Sequence, residues 1–192
     1  MTLLILGIIL FLATHLIRVV APGFRVSMIG RFGETGWRVI NSVMSLVSLV
    51  VLIWGYATAP VINLWFPPMG MNHLTTTLML FAMICLVAGF LPAGHIATKT
   101  KHPIVLSIKI WAAAHLLANG DLASVLLFVA LLAWGVVLRI SYKRRVRAGE
   151  LVLKPFVSAR WDAIAVIGGI VVWAVITMWL HKLLIGVAPL AM

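Results

Sequence analysis

Four ionisable side chains sit where ionisable groups are scarce. His15 lies within the apolar run "LLILGIILFLATHLIRVV", and His102, Lys109 and His115 lie in "KHPIVLSIKIWAAAHLLANGD". His73 opens a further apolar run and His95 follows its end. A charged group at the bilayer centre costs about 2.5–3.5 kcal/mol on insertion scales, so such residues are read first as functional. Neutral imidazole is a common metal ligand, and facing helices of a bundle hold cofactors with inward side chains of this kind. No Asp or Glu stands deep in any apolar run, which argues against a dicarboxylate iron centre and a proton relay through acids. No Cys-x-x-Cys-His occurs, so covalent haem attachment by that motif is excluded. Two readings of His15 and His115 remain: iron ligands in a non-covalent b-type haem protein, or imidazoles hydrogen-bonded inside a bundle. His73 with His115 is the rival ligand pair.

Helical spacing sorts the others. His102 and Lys109, seven residues apart, share a face, whereas His115, six beyond Lys109, is turned away from it. Asn119 shares the i+4 face of His115. Lys109 points into a polar cavity, or its stem snorkels toward the membrane surface. With a rise of about 1.5 Å per residue, His15 lies roughly 5 Å inward of its span's midpoint and His115 roughly 6 Å outward. A haem between them would lie closer to the membrane plane than upright.

The elements that must carry these residues follow from composition. The 192 residues are 64% hydrophobic and 10% charged, with a mean hydropathy of +1.17. Soluble domains run at about 45–50% apolar and 25% charged, so an all-α integral membrane bundle is expected, as one transmembrane domain over residues 1–192. A helix of about 20 apolar residues spans the hydrocarbon core. Six spans are expected, near 2–21, 38–59, 73–92, 103–119, 121–142 and 162–186. Pro22, Pro60, Pro92 and Pro103 fall at span edges, where a missing N–H does little harm. Asp121 and Asp162 stand where helix N-caps belong. The first run lacks a basic n-region and reads as a retained span rather than a signal peptide.

Of the fifteen Lys and Arg residues, only Lys109 and Lys182 fall outside the first, third and fifth loops and their flanks. Cytoplasmic loops collect such residues, so a multi-pass protein of the bacterial inner membrane with both termini periplasmic is expected. The same rule explains the net charge of +11 and the cluster "YKRRVR", with anionic membrane lipids as the partner and nucleic acid excluded. Trp37, Trp54, Trp65, Trp161 and Trp179 lie near span ends, as an aromatic belt would. Trp111, Trp134 and Trp173 lie deeper. The single cysteine, Cys85, permits no internal disulfide.

The segment "KHPIVLSIKIWAAAHLLANGDLASVLLF" resembles the signature region of the NnrU family of bacterial membrane proteins. "LFLATHLIRVVAPGFR", "RFGETGWRVINSVMSLVSLVVLIWGY" and "NLWFPPMGMNHLTTTLMLFA" resemble that family as well, so the likeness runs from about residue 3 to 145. The last span adds little to it. The family is named for an association with nitrite and nitric oxide metabolism, that is, denitrification. It is related to the 15-cis-zeta-carotene isomerase of plants and cyanobacteria, a membrane enzyme that uses haem b. That relation implies haem-ligating histidines at the positions of His15 and His115. A cysteine tied to a ligand switch in the isomerase is replaced here by Ala112, so the switch is not implied. Haem iron with an exchangeable ligand would act on a hydrophobic polyene or bind nitric oxide. Arg18 and Arg38 are the expected propionate partners.

Two other readings come from different classes. Membrane methyltransferases related to isoprenylcysteine methyltransferase carry Arg-His-Pro before Tyr and Gly. Here Lys101-His102-Pro103 precedes Ile and Val, and only Glu150 follows in a basic loop, which leaves S-adenosylmethionine chemistry weakly supported. A non-catalytic accessory protein, working as a homo-oligomer or beside a larger nitrogen-oxide reductase, would need only packing surfaces. Gly168 and Gly169 offer one.

Overall fold

The computed structural model describes residues 1–190. Among them 78% are helical and no strand occurs; one isolated antiparallel bridge joins Asn63 and Asp121. The helices are α1 (Thr2–Val20), α2 (Pro22–Ala57), α3 (Met71–Phe90), α4 (His95–Thr100), α5 (Pro103–Ala118), α6 (Leu122–Arg147) and α7 (Arg160–Val175). A π-helical turn, Ile176–Leu180, continues α7 into α8 (His181–Ile185).

Five helices are long and apolar enough to cross a membrane: α1, α2, α3, α6 and the continuous Arg160–Ile185. The expected fourth span is α5, whose 16 residues make about 24 Å of helix, short of the roughly 30 Å of hydrocarbon. The expected first loop is a correction. Residues 22–37 are helical and belong to α2, which Pro22 starts from the first turn and Gly33 breaks at φ 70°, ψ 170°. That conformation is open to glycine and strained for other residues. The polar composition of "RFGETG" points to a loop; the segment is instead exposed helix kinked at Gly33.

The described residues form two compact units. The first comprises residues 1–64 and Asp121–Ala130. Here α1 and α2 meet through reciprocal small-and-large pairs. A Cβ on Gly7 would lie 2.6 Å from Leu52 Cα, and one on Gly55 2.6 Å from Leu4 N. Leu4 and Leu52 are buried against the opposite glycine. Close backbone approach of this kind is how helices gain van der Waals contact in a lipid-like solvent. Tyr56 and Ser124 hydroxyls lie 2.9 Å apart, and Leu122 N–H donates to the Ile62 carbonyl at 2.8 Å. Asp121 caps α6 as the sequence suggests, accepting from Ser124 N–H at 2.9 Å.

The second unit comprises Trp65–Gly120 and the chain from Leu131 onward. Its centre is α3, flanked by α5 and α7. Gly169 meets the backbone of Ile84, and Gly168 meets Val87, so both glycines of the last span pack against α3 within the chain. Trp173 Nε1 donates to the Thr76 carbonyl at 2.8 Å, and Thr75 Oγ1 to the Ala114 carbonyl at 3.0 Å. Lys154 Nζ donates to the carbonyls of Gly89 and Leu91, a cation on the negative end of α3. Asp162 corrects the expectation that it caps its own helix. It sits in the first turn of α7 and caps α4 instead, accepting from the N–H groups of His95 and Ile96. Cys85 is buried and free.

Candidate functional site

His15 stands in the fourth turn of α1, half-buried. Its Nδ1 lies 2.8 Å from the Phe11 carbonyl one turn back, and the Phe11 ring stacks on the imidazole with centroids 3.9 Å apart. The Thr14 hydroxyl is 3.0 Å from the same nitrogen and 3.3 Å from Ser48 Oγ on α2. A carbonyl oxygen only accepts, so Nδ1 carries the hydrogen and the neutral ring has its lone pair on Nε2.

His115 repeats the arrangement in the second unit. Its Nδ1 donates to the Trp111 carbonyl at 2.8 Å, again one turn back, and the Trp111 ring is tilted against it at 5.2 Å. Asn119, the residue after α5, donates its side-chain amide to the His115 carbonyl at 2.8 Å. The i+4 relation read from the sequence therefore exists, and the amide closes the helix through the backbone of His115. Ala112 and Ala114, which precede it, are fully buried.

One functional candidate was not singled out in the sequence. His181, directly after the π-helical turn, faces His115 with ring centroids 6.5 Å apart and planes within 25°. Its Nδ1 donates to the Val187 carbonyl at 2.7 Å, which leaves its lone pair on Nε2 as well. The one available signal was its place inside the last apolar run.

The remaining predicted residues lie elsewhere. His73 is exposed in the first turn of α3, and its carbonyl accepts from the Thr76 and Thr77 hydroxyls. Arg18 is exposed at the end of α1. Arg38 is exposed too, and its guanidinium donates to Glu34 at 2.8 Å. His102 precedes α5, and its ring lies 4.6 Å from that of Tyr142. Lys109 runs its stem over Gly135, where a Cβ would lie 2.8 Å from Lys109 Cγ.

Among the described residues no three His, Cys, Asp or Glu side chains are grouped to hold a metal ion. A haem supplies four of its iron's ligands itself and asks the protein for one or two. Each histidine that it would use needs a fixed tautomer and orientation, which a carbonyl acceptor on the second ring nitrogen provides. The Nδ1 bonds of His15, His115 and His181 meet that requirement.

Neither a curated protein nor a solved structure matches this chain. A protein-family model, described as NnrU protein, matches residues 3–189. The matched region runs through the last span, past residue 145 where the motif likeness ends.

Proposed function

Because this chain belongs to the NnrU protein family, we propose that it is a multi-pass inner-membrane protein that binds b-type haem through histidines. His15 and His115 are the histidines that would hold it, each through Nε2. The observation that carries this reading is the shared local geometry: two histidines in apolar helices, each with Nδ1 bonded to the carbonyl four residues back. The asymmetry of Lys and Arg supports six crossings with both termini periplasmic, α5 being the shortest crossing. Bound haem would supply a redox-active, Lewis-acidic iron. The surrounding chain would supply ring orientation through Phe11 and Trp111 and a largely apolar lining. The substrate or ligand is a hydrophobic polyene, in an isomerase-like or redox role, or nitric oxide, in nitrogen-oxide metabolism.

A second reading has its own support. His181 is the histidine whose ring lies 6.5 Å from that of His115, and it would hold the iron with His115 in place of His15.

The test is a visible spectrum of the detergent-purified protein, oxidised and dithionite-reduced, beside His15→Ala, His115→Ala and His181→Ala. Loss of the low-spin reduced bands in the His15 and His115 variants, with His181→Ala unchanged, is the expected result. Loss in His115→Ala and His181→Ala alone moves the pair. A colourless protein after haem supplementation overturns the haem reading and leaves the accessory role, with structural histidines, in its place.

A further inference from the structure

A second feature of the protein is independent of haem. In the second unit, the turn between α4 and α5 meets one face of the far end of α6. Arg139, Tyr142 and Arg145 recur at three-residue spacing on that face. The His102 ring lies 4.6 Å from Tyr142, and the Arg145 guanidinium carbon is 5.9 Å from the centre of the same ring. Lys101, the residue that ends α4, has φ 65°, an unusual conformation for a side chain of its size. The charges of Arg139 and Lys101 both act on His102.

The hydrogen-bonding of this cluster is incomplete. Arg139 Nη1 and Arg145 Nε are buried from solvent and have no hydrogen-bond partner. One carboxylate approaches, Glu150, and its Oε2 stays 3.7 Å from Arg145 Nε, beyond hydrogen-bond length. Buried guanidinium donors without acceptors are expensive, because the desolvation of a charged group is not recovered. An anion with several acceptor oxygens would satisfy both of these α6 donors. A tetrahedral phosphate does this best, since guanidinium forks match its oxygens.

We infer that Arg139 and Arg145 on α6, with His102 against the Tyr142 ring and Lys101 beside it in the chain, bind a phosphate group, carried by an anionic phospholipid or present as free phosphate. Sites of this composition between membrane helices on the basic side of a protein recognise lipid headgroups.

Native mass spectrometry of the full-length protein in non-ionic detergent tests it, with phosphatidylglycerol, phosphatidylcholine and inorganic phosphate as the three probes. One saturable phosphatidylglycerol adduct is expected, weakened about tenfold by Arg139→Gln, the scale of a lost charge-assisted hydrogen bond. Arg139→Lys retains part of the binding. Lys143→Gln, an exposed cation close by in sequence, leaves it unchanged. Displacement of the lipid by millimolar inorganic phosphate assigns the site to the free anion; persistence assigns it to the headgroup. Where Arg139→Gln does not survive purification, Arg145→Gln makes the same test. Equal binding by wild type and both glutamine variants, or an equal loss in Lys143→Gln, overturns the inference, because diffuse surface charge would then account for the adduct.

Discussion

Asp162 and His95 are joined twice by one oxygen: Asp162 Oδ2 accepts from the His95 backbone N–H at 2.8 Å and lies 3.0 Å from His95 Nδ1. The other oxygen takes the Ile96 N–H at 2.9 Å. The first turn of the last span thus holds the first turn of α4, a six-residue helix too short to persist without tertiary support. Asp162→Ala is expected to destabilise the fold by about 1–3 kcal/mol. Hydrogen exchange localised to residues 94–101 checks it: faster exchange there, with α1 and α2 unchanged, is the predicted pattern. Uniform exchange across the chain would contradict it.

Gly7 and Gly55 admit no side chain, because the added carbon meets the backbone of the facing helix. Gly7→Ala and Gly55→Ala should each lower stability by about 1–3 kcal/mol, the scale of overpacking. Gly23→Ala, where nothing lies within 4 Å, is the matched control and should be neutral. Thermal unfolding in one detergent ranks the three.

Among the described residues Lys109 has no hydrogen-bond or ion-pair partner, and its stem depends on the absence of a side chain at Gly135. Lys109→Met keeps the length of the stem and removes the charge. Stability equal to or above wild type, by up to about 1 kcal/mol, is expected for a lysine without a buried partner. A marked loss of stability or of bound haem would instead place Lys109 in a site.

His102 gives the protein a pH dependence of known sign. Burial, then the positive charges of Arg139 and Lys101, hold its imidazole below the ordinary value of 6.5. The unfolded chain binds that proton more readily than the folded one. Its contribution to stability is therefore present above the ordinary histidine pKa and is lost as pH falls from there through the lower folded value. A histidine-selective NMR titration should give His102 a midpoint below 6.5, and His102→Gln should flatten the melting temperature between about pH 5 and pH 7. A midpoint at or above the ordinary value refutes the assignment.

Apolar run length and proline placement made most of the fold legible. Pro103 marks the first residue of α5, and α3 begins two residues before the expected start. Asp121 was readable because its cap is local, three residues from its donor. Asp162 was not, because its donors lie 66 and 67 residues away. For the same reason α4 left no local signature. The helix through "RFGETG" was hidden by a composition that favours turns, although only Gly33 breaks it. At the candidate site, the proximity of Asn119 to His115 followed from periodicity. Which atoms met did not, since an amide in reach of both ring and carbonyl chooses by geometry. His181 was missed because its neighbour His115 lies on another helix far along the chain.

That irregular turn has a consequence for how the pairing of His181 with His115 is inherited. A π-helical turn is in effect one residue added to an α-helix. The azimuth of His181 is therefore stored as a residue count rather than as the identity of any side chain. Deleting one residue from Ile176–Leu180 would close the bulge to a regular α-helix and leave His181 near its present azimuth, whereas deleting one from the α-helical stretch 170–175 would swing it by about 100° away from His115. The pairing is a matter of phase, open to loss by a single deleted codon and insensitive to most substitutions in between.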